Sequence, residues 1–210
     1  MIGWTSSMIT LINSYMTEAD LCEIARVSTG KKKRTNEELI RHLIRQGHDS
    51  IFEHAVVTFL VEVPIYTARQ WMRHRIGSYT EKSGRYSEME GFELSVDGVD
   101  EEVMNEVERL YDIYRQLMKD GIKKEDARQI LPLCTMTKFY WTVNLRSLMN
   151  FLSNRMDFHA QADILNNSKE VYEAFRKHYP NVAQAWAARE HATKRFLKEW
   201  REKDEVKSQE

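Results

Sequence analysis

Residues 55–75 read AVVTFLVEVPIYTARQWMRHR, and the change of pattern inside this stretch decides the fold. From Ala55 to Val63 the residues are β-branched, aromatic or apolar, the composition of a well-buried strand. Pro64 then stands where the first turn of a helix begins, a position that needs no N–H and suits the fixed φ of proline. The segment IYTARQWMRHR reads as a helix over 65–75, its cations gathered at the C-terminal end that the macrodipole favours, with Gly77 as the break.

On either side of this strand-to-helix switch the helical signals dominate. Residues 17–27 form a predicted helix with Thr17 as N-cap, and Asn36 is expected to cap a second, EELIRHLIRQ, that stops at Gly47. Apolar spacing at Val103, Val107, Leu110, Ile113 and Leu117 predicts a long helix over 100–119, followed by a short one over 123–130. SEMEGFELS is a strand candidate, and LCTMTKFYWTV reads as a strand or an irregular extended entry. From Asn144 onward LRSLMNFLSNR reads as a helix, and two more reach to about residue 201. Helices first and last with strands between them indicate an α+β fold rather than a βαβ repeat. A single domain is expected over 1–203, with 204–210 as a frayed tail.

The composition narrows the function. Thirty-one lysines and arginines against 32 acids leave a formal charge of −1, so bulk-charge binding of nucleic acid is disfavoured. No membrane span and no secretory leader are read from the sequence, and two distant cysteines, Cys22 and Cys134, fit a reducing cytoplasmic setting. Charge is uneven locally: Arg69, Arg73, Arg75, Lys82 and Arg85 face the single acid Glu81 between positions 69 and 85. That pattern suits a small anionic ligand better than a long polyanion.

Three clusters carry the chemistry. In RHRIGSYTEKSGRYS (73–87), arginine forks alternate with Gly77, Ser78, Ser83 and Gly84, which let backbone N–H groups approach a phosphate. A basic helix end followed by a solvated turn explains one or two of those cations but not Arg85. The P-loop and GxGxxG spacings are both missing. In NLRSLMNFLSNRMDFHAQ, Asn144, Arg146, Asn150, Arg155 and His159 interrupt an apolar helix pattern, as directed hydrogen bonding or a polar surface face would. His42, His48 and His54 recur every six residues, which is the wrong period for metal ligands on one helix, so no metal is assigned. Cys134, in LPLCTM, has no neighbour to lower its pKa and reads as a buried thiol rather than a nucleophile.

Taken in order along the chain, these motifs resemble the flavin-dependent thymidylate synthase family. That family's signature is RHR, seven residues, Ser, a spacer and Arg; here Arg73-His74-Arg75 leads to Ser83-Gly84-Arg85. The likeness extends through ARVS (25–28), GHDSIFEH (47–54), ARQWMRHR (68–75), DARQILP (126–132) and WTVNLRSLMNFLSNR into HAQ (141–161). It implies an α+β fold with an antiparallel sheet and long helices, and a homotetramer with shared active sites. It further implies FAD as cofactor, NADPH as reductant, methylenetetrahydrofolate as carbon donor and dUMP as substrate. Carried over position by position, Ser50, Arg73, His74, Arg75, Glu81, Asn144, Arg146, Asn150 and His159 would hold FAD. Gln70, Arg73, Glu81, Lys82, Ser83, Gly84, Arg85, Arg128 and Arg155 would hold dUMP. His48 would lie near flavin and folate, and Arg155 would polarise the uracil. The chain departs from the family's commonest form at Thr80, Lys82, Ser153-Asn154 and Ala162. UMP or dCMP as the pyrimidine therefore stays open beside dUMP, and a nucleic-acid-binding protein is the alternative from a different class.

Overall fold

The computed structural model describes residues 6–28, 30, 33–94, 99–157 and 159–191. Strand β1 (Met8–Tyr15) precedes helices α1 (Glu18–Arg26) and α2 (Asn36–Arg45) and a 3₁₀ turn at Asp49–Glu53. Then come β2 (Val56–Pro64), α3 (Ile65–Trp71), β3 (Ser78–Glu81), α4 (Glu101–Lys119), α5 (Lys124–Ala127) and a 3₁₀ turn at Arg128–Ile130. β4 (Met136–Asn144), α6 (Leu145–Arg155) and α7 (Ala162–His178) follow, and residues 180–191 are helical. The fold is α+β, with one antiparallel four-stranded sheet in the order β1-β2-β4-β3.

The two central strands alternate as a half-covered sheet should. Val57, Phe59, Val61 and Val63 of β2 and Phe139, Trp141 and Val143 of β4 are buried, whereas Lys138 and Tyr140 face out. Phe59 and Tyr79 are both register partners of Trp141 and stack on it, with ring centroids 5.7 and 6.5 Å away. Trp71 of α3 and Phe151 of α6 close over this row, 5.4 and 4.9 Å from Trp141. The aromatic core thus locks α3, α6 and the β3–β4 pair together. Those elements bear Gln70, Glu81, Asn144, Arg146, Asn150 and Arg155, and the segments that leave α3 and β3 carry residues 73–75 and 82–85.

The strand over 55–63 is present within one residue of expectation, as is its exit into a helix at Pro64. That helix, however, stops at Trp71 instead of running to residue 75. Met72 has ψ near zero, and the Tyr79 hydroxyl donates to the carbonyls of Trp71 (3.5 Å) and His74 (2.6 Å). A side chain from β3 thereby occupies carbonyls that a longer helix would have used. Thr35, not Asn36, caps α2: its Oγ1 accepts from the Glu38 N–H (3.2 Å), and Glu38 Oε2 accepts from the Thr35 N–H (2.9 Å). Asn36 instead accepts from Arg26 (2.8 Å). The short helix expected over 123–130 is α5 followed by a 3₁₀ turn.

Over its described residues, 87–94, SEMEGFELS forms no strand, only an isolated bridge between Phe92 and Thr135. Gly91 has φ +74°, which turns the chain out of extended geometry. Phe92, Tyr111 and Cys134 form a second small core beneath α4. Strands β1 and β3 had no counterpart in the sequence reading. β1 is an edge strand of mixed polarity with a register shift between Leu11 and Asn13, and β3 has only four residues, three of them exposed. The tail over 204–210 lies outside the described residues. Among the described residues no helix is long and apolar enough to cross a membrane.

Candidate functional site

Arg155, the last residue of α6, is fixed from two sides. Its Nε donates to Nε2 of His74 (3.0 Å) and its Nη2 donates to the Gln70 carbonyl (2.8 Å); neither bond uses Nη1. His74 can accept only if it is neutral with its proton on Nδ1. Burial, and then the charge of Arg155, push its pKa down to about 4, in agreement with that role. The imidazole stands edge-on to Phe151, with centroids 5.0 Å apart. Arg73 lies close enough that, after burial, its charge lowers the pKa of Arg155. Gln70 is held in turn by Gln161 (2.5 Å), and Gln161 and Tyr66 both donate to Asp163 (3.1 Å each). This small network fixes the position of a cation without neutralising it.

The glycine-serine segment after β3 comes close to a different part of the chain. A Cβ on buried Gly84 would lie 3.1 Å from Arg128 Cδ and 3.1 Å from Met89 Sδ, so glycine is what lets Arg128 approach the turn. Ser83 Oγ accepts from the Arg85 N–H (3.3 Å), while the Arg85 side chain pairs with Glu125 of α5 (2.9 Å). Glu81 accepts from Thr137 (2.7 Å), which holds its carboxylate against β4. Lys82, Ser83, Gly84, Arg85 and Arg128 are therefore neighbours in space. Among the described residues no ion pair engages Arg73, Arg75, Lys82 or Arg128.

A third group sits at the other end of α6. Asn144 caps the helix by accepting from the Ser147 N–H (2.9 Å), so one side-chain oxygen of this expected cofactor ligand has a structural task. Arg146 pairs with Glu53, the last residue of the Asp49–Glu53 turn that exposed His48 heads and that contains exposed Ser50. Arg146, Asn150 and Asn154 repeat at i, i+4 and i+8 and form an exposed polar stripe on α6. Arg146 and Arg155 lie nine positions apart on one helix, about 14 Å at ~1.5 Å per residue. The chain thus brings together Arg155, His74, Gln70 and Arg73 in one place, and His48, Ser50 and Arg146 in another. His159 is exposed, its N–H donating to Asp157 (3.1 Å).

Both thiols are buried, and burial raises both pKa values. Neither is an activated nucleophile. Among the described residues no group of three metal-ligating side chains occurs.

The family model described as "Thymidylate synthase complementing protein" matches residues 10–181. The chain belongs to the flavin-dependent thymidylate synthase family. It is 39% identical over 194 residues to the flavin-dependent thymidylate synthase of Thermotoga neapolitana, covering 85% of this chain and 89% of that protein. It is also 39% identical over 188 residues to that of Thermosipho africanus, covering 77% and 82%. Among solved structures it resembles a UMP/dUMP methylase, PolB, from Streptomyces cacaoi bound with 5-Br dUMP. That match has a TM-score of 0.78 and 30% identity, and covers 88% of this chain and 96% of the other. The chain is accordingly an enzyme of the flavin-dependent thymidylate synthase family, a methyltransferase by class.

Sequence reading missed the residues that hold this family's motif in place. Phe151, Gln161, Asp163, Thr137 and Glu125 act across long sequence separations, whereas Tyr79 acts on carbonyls five and eight residues before it. Gln161, Tyr79 and Phe151 lie inside the quoted motifs, but nothing local assigned them these contacts.

Proposed function

We propose that this chain catalyses the reductive methylation of dUMP to dTMP, with methylenetetrahydrofolate as carbon donor, NADPH as reductant and FAD as cofactor. The observation that carries the reading is Arg155, a half-buried cation held by neutral His74 and the Gln70 carbonyl, with Nη1 left over and Arg73 beside it. Methylating uracil at C5 requires negative charge to be stabilised on the ring, and an immobilised guanidinium is suited to that task. Buried, unactivated thiols argue against the other route, cysteine addition to C6. The unpaired cations around Ser83-Gly84 and Arg128 suit the nucleotide phosphate.

The residues present fit a long anionic cofactor. Arg146 and Asn150 form an exposed polar face on α6, and Arg73 and Arg75 are cations with no ion pair among the described residues. When bound, FAD would supply the hydride that no side chain can donate. Ser50, His74, Arg75, Asn150 and Arg146 are proposed to hold it, with His48 and His159 bordering it. Glu81 would orient the nucleotide from its Thr137 anchor. The two groups of site residues lie about 14 Å apart along α6. A homotetramer with shared active sites is proposed from the resemblance to the family alone.

A second reading of the substrate is carried by the similarity to a methylase whose name includes UMP. The test is product analysis by mass spectrometry after incubation with FAD, NADPH, methylenetetrahydrofolate and an equimolar mixture of dUMP and UMP. Formation of dTMP is the expected result. Methylated UMP as the main product would reassign the pocket, and no methylated product would overturn the reading. In the Arg155→Ala variant the flavin absorbance should persist while turnover falls about 100-fold or more. Unchanged turnover would remove Arg155 from the mechanism.

A further inference from the structure

A cleft of about 280 Å³ opens between the C-terminal half of α1, the segment before α2, and α2 itself. Arg26, Ser28, Lys33, Arg34, His42 and His48 line it, and among the described residues no Asp or Glu does. Its floor includes the apolar side chains of Leu39 and Leu43. Glu23 of α1 is engaged by Arg26 at 2.9 Å. The Arg26 guanidinium also donates to the Arg34 carbonyl (3.2 Å) and to Asn36 (2.8 Å), so it is spent on bracing the cleft. Lys33 and Arg34 are different. Both are exposed at the rim, and neither forms an ion pair among the described residues.

The positive field is felt inside. His42 has its pKa lowered by burial and then by Arg34, Arg45 and His48, whose ring lies 6.4 Å away. A concave surface with gathered cations and no lining acid is unfavourable by itself and is relieved by a bound anion. His48 also heads the turn whose Glu53 pairs with Arg146, so the cleft lies on the side of the molecule assigned above to the cofactor.

We propose that this cleft is an anion subsite, with Lys33 and Arg34 as its contacts, that receives the multiply charged arm of a reactant other than the pyrimidine nucleotide. The inference rests on the functional reading above. Two reactants in that reading carry such an arm: the phosphate-bearing end of the reductant and the glutamyl carboxylates of the folate.

Calorimetric titration of the flavin-loaded, dUMP-bound enzyme with 2′,5′-ADP, and separately with γ-linked triglutamate, tests it and separates the two sources. One probe is expected to bind, with affinity that falls as salt rises. The Lys33→Gln/Arg34→Gln double variant should bind that probe about 10-fold or more weakly, while dUMP affinity and the thermal melt stay unchanged. Binding of neither probe, or equal binding by wild type and variant, overturns the subsite. Product analysis on the same preparation keeps the two claims apart. Methyl transfer without probe binding sinks the subsite alone, whereas probe binding without methyl transfer sinks the proposed reaction and leaves the anion seat standing.

Discussion

Protonating His74 should loosen the fold and release Arg155 together. In the native state Nε2 must stay bare to accept from Arg155 at 3.0 Å. The folded pKa is about 4, against an ordinary value of 6.5. Between those values the unfolded chain binds the proton and the folded one does not, so stability is lost as pH falls through that window. At about 1.36 kcal/mol per pKa unit, a gap of about 2.5 sets an upper bound of ~3.4 kcal/mol. The ring is only half-buried, and solvent screening reduces the expected loss to about 1–2 kcal/mol. Carboxylates titrate in the same range, so the measurement is a difference. Urea unfolding of wild type and His74→Gln at about pH 7 and about pH 4.5 cancels the groups they share. Wild type should lose about 1 kcal/mol more than the variant across that interval. Equal losses in the two proteins would refute the reasoning. So would an imidazole resonance of His74 titrating near its ordinary value.

The remaining expectations test the frame around the site. In Gly77→Ala the new Cβ would sit 2.9 Å from Trp141 Nε1 and 3.1 Å from the Thr142 carbonyl; packed indole and β4 backbone cannot yield cheaply, and urea unfolding should show a loss of about 1–3 kcal/mol. Tyr111→Phe removes a buried hydroxyl that donates to the Gly91 carbonyl (2.7 Å) and lies 2.9 Å from Thr135 Oγ1, and should destabilise by about 1–3 kcal/mol in the same assay. Cys22→Ala and Cys134→Ala should each keep turnover within about threefold of wild type, as expected of thiols that burial keeps protonated; abolished turnover in a folded variant would restore a cysteine nucleophile.

What could be read from the sequence was whatever is local in the chain. The β2–Pro64–α3 switch rests on adjacent residues, and so do the Thr17 cap, the helix after Asn144 and the apolar spacing of α4. The two missing strands depend on partners elsewhere. Ser78–Glu81 is a polar tetrapeptide whose extended form is imposed by pairing with residues 139–142 of β4, and Met8–Tyr15 is extended because β2 offers it an edge. The early end of α3 has the same origin, since the acceptors it leaves open are taken by Tyr79 from β3.

The same division runs through the site and explains why its chemistry was more legible than its geometry. Arginines and small residues spaced along 73–85 announce an anion site whatever their contacts. That Arg155 is aimed by His74 could not be inferred, because the two are 81 positions apart and a histidine between two arginines reads as one more cation. Burial against Phe151 reverses that reading and makes His74 a neutral acceptor in the middle of the basic RHR motif. The motif is therefore less positive than its letters suggest. Its two arginines form no ion pair among the described residues, while its histidine holds a third arginine, from α6, in place beside them. A seat built this way can offer cations to a ligand without their being drawn off by neighbouring acids.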